Sequence, residues 1–190
     1  REPPAIAGLT DKLENLSETK WQFALQHLRD LRLLTKKYDL RPDTLDCHPL
    51  VREHFGEKLR RENPDAWKQA HSRLYEYFRD LPEKELPDTL EEMQPLFSAV
   101  THGCIASLHL QALINVFWPA IRRKNHGYAI KKLGAYGDYL AALVYFFDKP
   151  WGLPVDDIGN SWKPEVLNWA GFCLRAVGRF TTVHFFIDIT

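Results

Sequence analysis

A chain of 190 residues, 45% hydrophobic and 13% aromatic, carries enough apolar material for one sizeable core or two small ones. Lys+Arg and Asp+Glu both total 25, so the whole-protein field offers no attraction to a polyanion, and three widely spaced cysteines, Cys47, Cys104 and Cys173, exclude a disulfide framework and a paired CxxC zinc site. No apolar run approaches the roughly 20 residues that span a bilayer, and "REPPAIAGLT" lacks the basic-then-apolar layout of a signal peptide, which predicts a cytoplasmic chain with no membrane partner.

The opening phrase starts at Arg1, is rich in proline and begins no element, as expected of a piece of a longer polypeptide. From Ser17, an N-cap residue, the chain turns helical: Trp21, Ala24, Leu25, Leu28 and Leu31 recur at the spacings of one buried face. Leu33 to Tyr38 and Thr44 to Cys47 then flank a polar turn of Arg41, Pro42 and Asp43, which predicts a β-hairpin. Leu50, Val51, His54, Phe55 and Leu59 mark another amphipathic helix, with Pro49 suited to its first turn. The next opens at Asn63-Pro64 and carries Trp67, Ala70, His71, Leu74, Tyr75 and Phe78 on one stripe.

"LPEKELPDTLEE" is a loop, after which Thr89 and Glu92 form a capping box for a helix towards Ala106. "LHLQALINVFWPAIRR", "HGYAIKKLG" and "AYGDYLAALVYFFD" read as successive helices ended by Gly or a polar break. "DKPWGLPVDDIGNSWKP" is the strongest internal linker, and "EVLNWAGFCLRAVGRF" follows as one more helix. The tail "FTTVHFFIDIT" alternates and is β-branched, which predicts a strained helix or an extended arm through which copies of the chain associate.

Two stretches carry a resemblance. "LRLLTKKYDLRPDTLDCHPLVREHFGEKLRRENPDAWKQAHSRLYEYF" resembles the winged-helix exit of bacterial STAND NTPases of the NB-ARC/NACHT type, and "LEEMQPLFSAVTHGC" resembles the helical segment that follows it. "LNWAGFCLRAVGRF" is similar to the first helix of a tetratricopeptide repeat, with Ala170 and Gly171 at close-packing positions and Gly178 at the turn. The resemblance implies a mainly α fold: a partial winged helix with a small β-hairpin over 1–62, a helical domain over 63–150, and the start of a tetratricopeptide-like repeat with an atypical tail over 151–190.

It also implies a function. Cys47-His48-Pro49 aligns with the Met-His-Asp triplet that ends the winged helix in NB-ARC proteins, which makes His48 a nucleotide sensor. Pro49 stands where that family has its acidic residue. The residues alone allow the plainer reading of His48 as a loop histidine. No GxxxxGK[ST] occurs, and Gly127, Gly134 and Gly137 are spaced wrongly for a phosphate loop, so no catalytic residue and no cofactor are assigned, ADP or ATP being expected only in a separate nucleotide-binding domain.

That domain and an unknown protein ligand are the expected partners. The alternatives are a free-standing helical scaffold that holds a peptide in an aromatic-lined groove and a DNA-binding winged helix. Lys20, Arg29, Arg32, Lys36 and Lys37 give the latter a hearing, but 12 basic against 11 acidic residues in Arg1 to Glu62 disfavour nucleic acid. His102 and Cys104 are too close in sequence to face each other on a helix. His54 and His71 read as packing histidines, Glu91 and Glu92 as dipole partners at a helix start, and Trp67, Trp118 and Trp169 as core rather than a ligand box.

Overall fold

The computed structural model describes residues 4–35 and 45–179. The chain is mainly helical and divides into two compact units, Arg1–Gln69 and Ala70–Thr190.

In the first unit the Ile6 carbonyl accepts from the amides of Leu9, Thr10 and Asp11, which curls the arm into a short turn. Helix α1 (Glu18–Asp30) starts where the capping chemistry places it, with Ser17 Oγ accepting from the Lys20 amide at 3.4 Å. Of its expected buried stripe only Leu25 is fully covered; Leu28 and Leu31 are exposed, and Phe23 is 74% exposed. Helix α2 (Pro49–Glu62) has Pro49 in its first turn and leaves Leu50 and Phe55 exposed. Helix α3 (Pro64–Asp80) begins at Asn63, whose Oδ1 accepts from Ala66 N at 3.2 Å while its Nδ2 donates to Ala7 O at 3.2 Å. Gly8 makes that contact feasible: its φ is +75°, and a Cβ there would run into Asn63 Nδ2.

The small β-hairpin expected over Leu33 to Cys47 is not supported. Residues 36–44, including Lys36, Lys37 and Arg41 to Asp43, lie outside the described residues, and no strand occurs among those that are described. The reason is visible at the end of α1. Arg32 takes φ +57°, and the amides of Leu33 and Leu34 turn back to Leu28 O at 2.9 and 3.3 Å. Donors used to close a helix in this way are not free for a ladder. What remains of the pairing is Thr35, whose amide and hydroxyl both donate to Asp46 O, at 2.8 and 3.1 Å.

The second unit holds the large core. Helix α4 (Leu90–Ile105) opens on the anticipated box: Glu92 N donates to Thr89 Oγ1 at 3.2 Å and Thr89 N to Glu92 Oε2 at 3.4 Å. Its inner face is Met93, Leu96, Phe97, Val100 and Cys104, and at Gly103 a side chain would come within 2.9 Å of the Tyr75 ring and 3.0 Å of Ala112 Cβ. Helix α5 (His109–Ala112) passes into a nine-residue π-helix, Leu113–Ile121. Pro119 gives a physical reason for the wider winding, since a proline in an α-helix lacks its donor and presses on the carbonyl four residues back.

A short helical turn at 124–126 leads to α6 (Tyr128–Lys131) and then α7 (Tyr136–Leu143). The stretch read as a linker is anchored: Phe147 bridges Pro154, Val155 N donates to Phe146 O at 3.0 Å, and Ile158 is buried. Helix α8 (Lys163–Ala176) buries Val166, Trp169, Ala170, Cys173 and Leu174, and Gly178 at φ +77° closes it with Arg179 N on Leu174 O at 2.9 Å. Residues 180–190, on which the association of copies was expected to depend, lie outside the described residues. No helix among the described residues is long and apolar enough to cross a membrane.

Candidate functional site

His48 is the N-cap of α2. Its Nδ1 accepts from Leu50 N at 3.2 Å, and the side chain is exposed. With Nδ1 serving as acceptor, the neutral imidazole carries its proton on Nε2. The ring therefore presents a donor to solvent beside the positive end of a 14-residue helix. Asp46 holds the preceding turn, accepting from Cys47 N at 2.9 Å and from Arg52 at 2.7 Å.

The other singled-out histidines divide. His54 is exposed and meets the exposed Phe55 ring edge-on at 5.2 Å, so the expectation that it packs is corrected. His71 is buried, and its Nδ1 lies 2.8 Å from His102 Nδ1. His102 in turn stacks on Phe78 at 5.4 Å. One of the two facing nitrogens donates its proton to the other, so charging both rings would set two N–H groups against each other. Burial, and then the charge of His71, push His102 down to about 4, and burial also lowers His71.

Because both groups bind protons more weakly in the folded chain, acid destabilises it; the His102 contribution is complete above about pH 6.5 and is lost as pH falls towards about 4. After discounting for the partial exposure of His102, this is worth about 1.5 kcal/mol. Urea unfolding at pH 7.5 and pH 4.5, wild type against His102→Gln, checks it: the variant should lose that part of the acid sensitivity, and equal sensitivities would refute it.

The Cys104 thiol is 4% exposed, and burial, followed by the negative charge of Asp157, pushes it well above the ordinary thiol range. His109 is oriented by Asp157, Nδ1 to Oδ2 at 2.6 Å. No group of three or more His, Cys, Asp or Glu side chains suited to a metal ion occurs among the described residues.

Three tryptophans do come together. Trp118 and Trp169 stack at 5.5 Å, and Trp162 meets them at 5.3 and 6.3 Å. The cage is occupied by the chain itself: Arg122 lies 4.0 Å over Trp169 and 5.7 Å from Trp118, and its Nη1 donates to Tyr139 OH at 2.6 Å. Among the described residues no carboxylate pairs with this buried cation, and its Nε has no hydrogen-bond partner. Position-by-position reading passed over Arg122 because a charged residue just after an apolar run looks like a helix end in solvent.

The neighbouring basic residues were missed for a similar reason. Charge is balanced over the whole chain and nearly so over Arg1 to Glu62, while the stretch from Met93 to Gly137 contains no acidic residue at all and carries Arg122, Arg123, Lys124, Lys131 and Lys132. That local count was the available signal. Comparison with protein-family models, with curated proteins and with solved structures found no match.

Proposed function

We propose that this chain is a non-catalytic regulatory and protein-interaction region of a STAND-type signalling ATPase, positioned after a nucleotide-binding domain and coupling a sensor to the nucleotide switch. The observation that carries the reading is His48. Its tautomer is set by the Leu50 amide, so that Nε2–H is offered outward at a helix N-terminus, the arrangement needed to donate to a terminal phosphate oxygen held by another domain. The exposed Leu50 and Phe55 on the same helix suit an apolar partner surface.

Two measurements test it. The reading frame upstream of Arg1 should contain a GxxxxGK[ST] loop, and in that full polypeptide His48→Ala should weaken ADP binding about tenfold, the loss of one hydrogen bond to a charged group. An upstream region without the loop, or ATP turnover by the 190-residue chain alone, would refute the reading. A free-standing peptide-binding scaffold is the second reading, favoured by the exposure of Phe23, Leu50 and Phe55; it has no need of an upstream phosphate loop.

A further inference from the structure

Four of the five cations in the acid-free stretch meet at one cleft. It encloses about 720 Å³, with Arg123, Lys124, Lys131 and Lys132 on its border, joined by the His126 imidazole. Glu85 is the single carboxylate in the lining. Leu86, Pro119 and Tyr128 supply apolar wall. Lys124, Lys131 and Lys132 enter no ion pair among the described residues. Four cations crowded around a single lining carboxylate repel one another, and in a chain of zero net charge nothing in the composition requires them to be together.

The cleft is held in shape. Arg123 stacks on the Tyr128 ring at 3.4 Å and its Nη2 donates to Pro87 O at 2.6 Å, Leu86 O at 3.2 Å and Asp88 Oδ1 at 3.1 Å. Tyr128 OH donates to Asp88 O at 3.2 Å, so the two walls are tied to each other. The backbone that carries two of these cations is strained: Arg123 and Lys124 take φ +51° and +58°, a region that side-chain-bearing residues avoid, just after the π-helix. Arg123 Nε is buried with no partner.

We infer that this cleft binds a small molecule carrying two or more phosphate groups, its organic part resting on Leu86, Pro119 and Tyr128. Lysine ammoniums are compact, mobile charges suited to phosphate oxygens. The size is that of small-molecule sites, and cations gathered in one hollow differ from the extended basic face that a long polyanion needs. The inference is independent of the STAND reading, since it concerns a different unit of the chain from His48.

Calorimetry with inositol hexakisphosphate and with tripolyphosphate tests it, in about 50 mM salt so that screening does not mask the charge term. Saturable one-to-one binding is expected. Lys131→Gln with Lys132→Gln, both at exposed positions, should weaken it about tenfold or more, while the charge-matched pair Lys12→Gln with Lys58→Gln should leave it within about twofold. Melting curves matching wild type show that each variant is folded.

No saturable binding of either probe, or equal losses in the two double variants, overturns the inference. Phosphatidylcholine vesicles with and without a phosphoinositide separate the sources of such a ligand. Sedimentation that depends on the phosphoinositide and on Lys131 and Lys132 identifies a lipid headgroup, and soluble binding without sedimentation identifies a free metabolite.

Discussion

Phe117→Ala is expected to remove about 4 kcal/mol of stability, the cost of deleting a fully buried ring from a core that cannot close over the gap. Phe117 is 0% exposed, and three further aromatic rings surround it: Tyr139 at 4.9 Å, Phe146 at 5.4 Å and Trp169 at 5.9 Å. Two of these are themselves held elsewhere, Tyr139 by Arg122 and Trp169 by Trp118 and Trp162, so neither can swing into the vacancy. Leu is the informative control: Phe117→Leu keeps much of the volume and should cost less than half as much. Urea unfolding followed by tryptophan fluorescence reads both, and a loss under about 1.5 kcal/mol for the alanine variant would show that this ring is not a centre of the core.

Arg122→Ala is expected to cost about 3 kcal/mol, because it removes the guanidinium stacked on Trp169 and leaves the fully buried Tyr139 hydroxyl without its partner. The cost is one of broken pairing rather than of the charge as such. Arg122→Met combined with Tyr139→Phe deletes the buried cation and the hydroxyl together and keeps most of the volume, so the double variant should lie within about 1 kcal/mol of wild type. Double-mutant cycles in the same unfolding assay measure the difference. If the double variant is as damaged as Arg122→Ala, the guanidinium has a role beyond the Tyr139 bond, and this account of it fails. Cys173, which burial holds up at about 11 against the opposing charge of Arg122, offers a further readout: without the cation its thiol should titrate higher still.

Several helix boundaries were legible because the deciding partner lies within five residues. Ser17 caps α1, Asn63 with Pro64 opens α3, Thr89 and Glu92 close their box, and Gly178 ends α8, each through a bond between near neighbours in the chain. The hairpin is not supported, and pattern does not register what stands against it: the Leu33 and Leu34 amides go to Leu28 O and not to a strand partner. Alternation describes side chains and is silent about where amides go.

His48 was found in sequence as a position, and the coordinates add its tautomer through the Leu50 amide. The basic cleft was not found, because Leu86 and Lys131 stand far apart in the chain and meet only after the loop at 86–88 is drawn onto Arg123 and Tyr128.

By itself, then, the amino-acid order determined the mainly helical character of the chain, the caps of its principal helices and the want of a phosphate loop, all of which depend on residue type and short spacing. Folding in three dimensions decided the rest: that Leu28 and Phe23 stay exposed while Arg122 is buried, that Leu113–Ile121 winds as a π-helix, and that His71 meets His102. Those outcomes depend on which surfaces remain to cover a side chain once the core has closed, a competition among groups distant in sequence that no local spacing encodes.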